Sequence, residues 1–209
     1  MEFIKDELFH VYNRGNNRDK IFYSRRNYLF FLEKINTYIL PYADIIAWCL
    51  MPNHFHLMLY INRVELNLPV GNLIDPLANN ERVGVKQRTL NQSIGILLRS
   101  YTNAIQKQEG RTGALFQEQT KAVLLADSLT FTPSYFNSAF GTKINVNNDD
   151  KSYAETCFNY IHLNPVSSNL VKKAADWEFS SYQDYMGIRN GKLINKEKGM
   201  EFFNPTLLT

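Results

Sequence analysis

Residues Ala43 to Asn62, "ADIIAWCLMPNHFHLMLYIN", constrain the fold more tightly than any other stretch of the chain. Two apolar, β-prone runs flank the turn pair Pro52 and Asn53. The pattern predicts two strands, "ADIIAWCLM" and "HFHLMLYIN", joined as a hairpin. The second strand carries His54 and His56, one residue apart. Side chains two apart in a strand share a face, which puts these imidazoles about 6–7 Å apart along it. Phe55 points the other way, toward the core. Two imidazoles at that spacing can converge on one divalent cation, without choosing which. A metal acting on phosphate needs at least one further oxygen ligand and open positions. Taken alone, a His-x-His on a sheet face requires no ligand at all.

Other elements follow from periodicity. "ELFHVYNR" (Glu7 to Arg14) alternates as a first strand, broken by "GNNRDK". "RRNYLFFLEKINTYIL" (Arg25 to Leu40) places Tyr28, Phe31, Leu32, Ile35 and Ile39 at helical spacing before Pro41. From Arg63 to Arg88 periodicity is lost, and the segment reads as a long surface excursion. "TLNQSIGILLRSYTNAIQKQEG" (Thr89 to Gly110) is a helix ending at glycine. "KAVLLA" (Lys121 to Ala126) is a fourth strand, followed by an irregular insertion at 127–148. A third helix starts at a cap supplied by Asp149 or Asp150, buries Tyr153, Cys157, Phe158 and Ile161, and ends at Asn164 and Pro165. The expected fold class is α+β: a ferredoxin-like βαββαβ antiparallel sheet with helices on one face, plus a C-terminal catalytic helix. The chain, 1–209, reads as one domain with insertions near 63–88 and 127–148 and a tail at 177–209.

The formal net charge of +3 permits a nucleic-acid partner without demanding one. Arg14, Arg18, Lys20, Arg25 and Arg26 cluster around a single acid, Asp19. Cys49 and Cys157 sit in apolar surroundings outside any CxxC, as reduced core cysteines do. With no signal-peptide pattern and no run near the ~20 apolar residues of a membrane span, a soluble cytoplasmic protein is expected.

The third helix adds two groups. Tyr160 and Asn164 are four apart, on one helical face. Asn164 offers a carbonyl oxygen suited to Mg²⁺ or Mn²⁺, and Tyr160 a phenol that can act as nucleophile. Each also has a structural reading: Tyr160 as a helix anchor, Asn164 as a cap before Pro165.

The motifs "HVYNRGNNRDKIF", "AWCLMPNHFHLML", "LLRSYTNAIQKQEGRTGALFQ", "YIHLNPV" and "WEFSSYQDY" run from about Phe9 to Tyr185. In that order they resemble the single-tyrosine HUH transposases of the insertion-sequence type, and most closely the REP-associated tyrosine transposases. The resemblance implies that His54, Phe55 and His56 are the His–hydrophobic–His motif. It implies that His54, His56 and Asn164 bind a divalent metal, Mg²⁺ or Mn²⁺, and that Tyr160 is the nucleophile. His162 points away from the face shared by Tyr160 and Asn164 and is left out of the site. The resemblance further implies a DNA partner, single-stranded or hairpin, with Arg14, Arg18 and, more weakly, Arg99 on its phosphates. The protein is then expected as a monomer or a homodimer with no membrane contact.

The implied reaction cleaves and rejoins a DNA strand through a 5′-phosphotyrosine link, leaving a free 3′-hydroxyl. One competing reading is a domesticated single-strand or hairpin DNA-binding protein that no longer transposes. Another is a metal-dependent hydrolase using water, whose cleavage would survive Tyr160→Phe.

Overall fold

The computed structural model describes residues 2–74, 81–125, 137–138, 141–142 and 153–204. In chain order the main elements are β1 (Leu8–Arg14), α1 (Arg25–Tyr38), β2 (Ala43–Met51), β3 (His54–Ile61), β4 (Glu65–Ile74), β5 (Glu81–Thr89), α2 (Leu90–Glu109) and β6 (Lys121–Leu124). There follow α3 (Tyr153–Ser167), α4 (Tyr182–Tyr185) and α5 (Lys196–Phe202). The local signals behave as their chemistry dictates. Thr89 Oγ1 accepts the Gln92 N–H at 3.2 Å, while the Gln92 side chain accepts the Thr89 N–H at 3.1 Å, a reciprocal cap that starts α2. Gly110, at φ 61°, ends it in the left-handed conformation that glycine tolerates best.

Four strands form one antiparallel sheet in the order β2-β3-β1-β6, the ferredoxin-like arrangement. Alternation divides β3 between two cores. Phe55, Leu57, Leu59 and Ile61 face α1 and α2, packing with Phe31, Ile35, Leu97 and Tyr101. The opposite face presents Met58 from β3 and Ile46, Ala47, Cys49 and Met51 from β2 to Ala154, Cys157, Phe158 and Ile161 of α3. So α1 and α2 cover one face and α3 the other, which places the Tyr160 helix over the face that carries the histidines.

Three expectations need correction. The segment at 63–88, expected as a surface excursion without periodicity, holds regular structure: β4 and β5 pair as an antiparallel ribbon, with a register shift between Val70 and Asn72. Its base is tied to the core, where Tyr42 Oη donates to the Arg88 carbonyl at 3.0 Å. Its prolines, glycines and asparagines hid the strands, because cross-strand pairing rather than local propensity holds them. Second, α3 does not end at Asn164 and Pro165 but runs to Ser167 with Pro165 inside it. Proline withholds one N–H from the last turn, and the burial of Ile161, Asn164 and Pro165 outweighs that loss. The turn closes after it, at Asn169 (φ 55°). Third, β6 stops at Leu124, before Ala126. Asp149, Asp150 and most of the insertion at 127–148 lie outside the described residues; Asn137–Ser138 and Gly141–Thr142 pair as two short antiparallel strands.

The "WEFSSY" segment covers the outer edge of β2. Leu50 N–H donates to the Phe179 carbonyl at 2.8 Å, Ser181 N–H to the Trp48 carbonyl at 2.9 Å, and Trp177 Nε1 to the Leu50 carbonyl at 3.1 Å. These bonds occupy backbone groups that an open edge strand would leave unpaired. Among the described residues, no helix is long and apolar enough to cross a membrane.

Candidate metal and nucleophile site

β1 and β3 pair with Arg14 opposite His54, Tyr12 opposite His56 and His10 opposite Met58. Alternation turns His10, Tyr12 and Arg14 toward the face that α3 covers, beside His54 and His56. The structure therefore brings together His54, His56, Asn164 and Tyr160, and adds His10, which the sequence reading did not single out. Its signal lay in "HVYNR": residues two apart on β1 face the same way as the histidine pair once the two strands are paired.

The geometry is close. His54 Nε2 lies 3.2 Å from Asn164 Oδ1. The His54 and His56 rings are 5.0 Å apart between centroids at 84°. The Tyr160 ring meets His56 edge-on, 5.2 Å between centroids at 81°. His10 Nε2 and His56 Nδ1 are hydrogen-bonded at 2.9 Å, and Tyr12 stacks on His10 at 4.7 Å. Tyr160 is half-buried, whereas His10, His54, His56 and Asn164 are buried.

Burial keeps the imidazoles uncharged. It pulls His54 down to about 4, helped by the positive charge of Arg14. It holds His10 near 3 and His56 well below its ordinary value, where His54, His10 and Arg14 add to the effect. Neutral imidazoles with free lone pairs are what metal ligation requires. Among the described residues His56 Nε2 is buried with no hydrogen-bond partner, an orphaned atom of the kind a cation would satisfy. Among the described residues no group of three or more His, Cys, Asp or Glu side chains could hold a metal. The donor set here is instead two histidine nitrogens and one amide oxygen, which fits a divalent ion with open positions.

The basic loop leads into this site. A Cβ at Gly15 would stand 2.0 Å from the Asp19 carbonyl oxygen, so only glycine lets the turn close. Gly15 N–H donates to the Asn53 carbonyl at 2.8 Å and Ile21 N–H to the Pro52 carbonyl at 2.8 Å, fastening the loop to the β2–β3 turn. Arg14 is half-buried, with its guanidinium in electrostatic reach of Tyr160. Arg18 is exposed on the loop, at φ 63°. Arg99 is exposed on α2, which covers the opposite face of the sheet, so it is not brought to the histidines. His162 is buried away from the site: Nδ1 donates to the Phe158 carbonyl at 3.0 Å and Nε2 accepts from Ser181 Oγ at 2.8 Å, locking α3 to the β2 edge cover.

Among solved structures, the chain is similar to a REP-associated tyrosine transposase bound to a REP hairpin, with a TM-score of 0.51 and 15% identity, covering 90% of this chain and 83% of that one. At that identity the likeness is one of fold. No family model matches the chain, and no curated protein matches its sequence.

Proposed function

We propose that this protein is a metal-dependent single-stranded DNA transposase that cleaves and rejoins a strand through Tyr160. The observation that carries the reading is the convergence of Tyr160, Asn164, His54 and His56 under α3, with His54 and Asn164 at 3.2 Å and Tyr160 edge-on to His56. Fold similarity to a transposase bound to a REP hairpin adds support for a hairpin or single-stranded DNA partner.

His54, His56 and Asn164 would hold Mg²⁺ or Mn²⁺, which when bound polarises phosphoryl oxygens and offsets their developing charge. Tyr160 Oη attacks the scissile phosphorus. A phosphorus–oxygen bond to the phenol forms as the bond to the 3′ oxygen breaks. The phenolic proton is lost and the departing oxygen gains one, leaving a 5′-phosphotyrosine and a free 3′-hydroxyl. A second 3′-hydroxyl reverses the step on another strand, so rejoining needs no ATP. Arg14, opposite His54 across the strand pair and in electrostatic reach of Tyr160, would hold a phosphate beside them; Arg18 would extend the contact along the strand. α3 supplies Tyr160 and Asn164 one turn apart, so nucleophile and ligand move as one rigid unit.

The test uses single-stranded oligonucleotides covering the DNA that flanks this gene, incubated with protein and Mn²⁺. A denaturation-resistant protein–DNA adduct that needs metal and disappears in Tyr160→Phe supports the reading. Cleavage that survives Tyr160→Phe without an adduct identifies a hydrolase instead, and binding with neither adduct nor cleavage identifies a DNA-binding protein.

A further inference from the structure

An imidazole can offer one nitrogen to a metal only when its proton sits on the other. For His54 that choice is settled by a relay that begins at the basic loop. The Arg18 carbonyl can only accept, and Asn53 Nδ2 donates to it at 3.2 Å. This orientation turns Asn53 Oδ1 toward His54 Nδ1, 2.6 Å away. An amide oxygen can only accept, so Nδ1 carries the His54 proton and Nε2 is left with its lone pair. That lone pair faces Asn164 Oδ1, so two acceptors meet at 3.2 Å, as they would around a cation.

His56 has a parallel arrangement with a different partner. Its Nδ1 is bonded to His10 Nε2 at 2.9 Å, and the two rings lie nearly parallel, 5.1 Å apart between centroids at 26°. Its Nε2 is the orphaned buried atom. As a metal ligand this nitrogen needs its lone pair, which leaves the His56 proton on Nδ1 and the proton of neutral His10 on its own Nδ1, away from His56. A proton on Nδ1, given to His10, leaves Nε2 free to bind metal.

We propose that Asn53 and His10 are positioning residues that each accept the Nδ1 proton of one ligand histidine, Asn53 from His54 and His10 from His56, and so aim both Nε2 lone pairs into one metal site. This rests on His54 and His56 being the ligands. It also gives the basic loop a second role, because the Arg18 carbonyl orients Asn53.

Long-range ¹H–¹⁵N NMR of the metal-free full chain at pH 8 reads the tautomer of all four histidines. The expected result is Nδ1–H throughout, with His162, bonded through Nδ1 to the Phe158 carbonyl, as the internal control. Nε2–H on His54 or His56 would overturn the proposal. Calorimetry with Mn²⁺ alone supplies the second reading. His10→Phe should weaken binding about 10- to 100-fold, as outer partners of ligating histidines typically do, and His10→Gln, which restores an acceptor, should recover most of it. A folded His10→Phe that binds Mn²⁺ as tightly as the parent also overturns it. If the parent itself binds no Mn²⁺, the reading of the site as a metal centre falls, while the tautomers still decide what Asn53 and His10 do. If His10→Phe does not fold, the parent's tautomers decide alone.

Discussion

The two faces of the central sheet are built for different purposes. Under α1 and α2 the β3 side chains are all apolar: Phe55, Leu57, Leu59 and Ile61 interlock with Phe31, Ile35 and Tyr101. Under α3 the same strand presents His54 and His56, and β1 adds His10, all buried, with His54 Nδ1 against Asn53 and His56 Nδ1 against His10. One face supplies packing, where atoms are interchangeable if volume is kept. The other supplies directed polar contacts, where one nitrogen cannot replace another. The first should govern stability and the second activity.

Tyr160→Phe should separate the two faces most strongly. Adduct formation should fall by at least ~10³-fold, since a phenyl ring has no nucleophile to offer, while denaturant melts should change by less than about 1 kcal/mol. The reverse case is Phe31→Ala under α1, expected to cost about 3–5 kcal/mol in the same melts. His56→Leu, on the other face, should abolish the adduct and cost about 1–3 kcal/mol, because the volume is largely kept while the bond to His10 Nε2 is lost.

How legible this was depends on how local the signal is. The β2–β3 hairpin rests on adjacent residues, Pro52 and Asn53, and α2 on Thr89 and Gly110 at its ends; these could be read directly. The β4–β5 ribbon could not, because its strands lack local periodicity and are defined by their pairing. Pro165 misled because burial overrode its usual effect. The quartet His54, His56, Tyr160 and Asn164 was legible as spacing on two elements, and through resemblance as a set. His10 was not, since it joins the site only through a strand register linking residues 46 positions apart. The "WEFSSY" segment likewise acquires its role as an edge cover only in the folded chain.

Acid should expose the polar face next. His10 and His162 are held near 3 by burial, below the ordinary 6.5 that they regain on unfolding. The unfolded chain therefore takes up more protons below pH 6.5. Their contribution is complete above that value and is lost as pH falls from 6.5 toward 3, at about 1.4 kcal/mol per histidine per pH unit. Urea titrations between pH 7 and 5 should show this slope, and His162→Phe should reduce it by about one proton's worth.

The smallest effects belong to the arginines. Arg14→Ala should weaken single-strand binding and reduce the magnitude of its log–log salt slope by about 0.7, one phosphate contact. Arg99→Ala, on the far side of the sheet, should leave the slope unchanged if DNA engages the histidine face alone. Fluorescence anisotropy across a salt series measures both.

The proposed reaction stands on Tyr160 becoming covalently joined to DNA. Its most direct test is mass spectrometry of the adduct after nuclease and protease digestion. The expected product is a peptide spanning Tyr160 that carries a nucleotide through its 5′ phosphate. The modification on Tyr12, the nearby half-buried tyrosine, or a linkage through a 3′ phosphate, would contradict it.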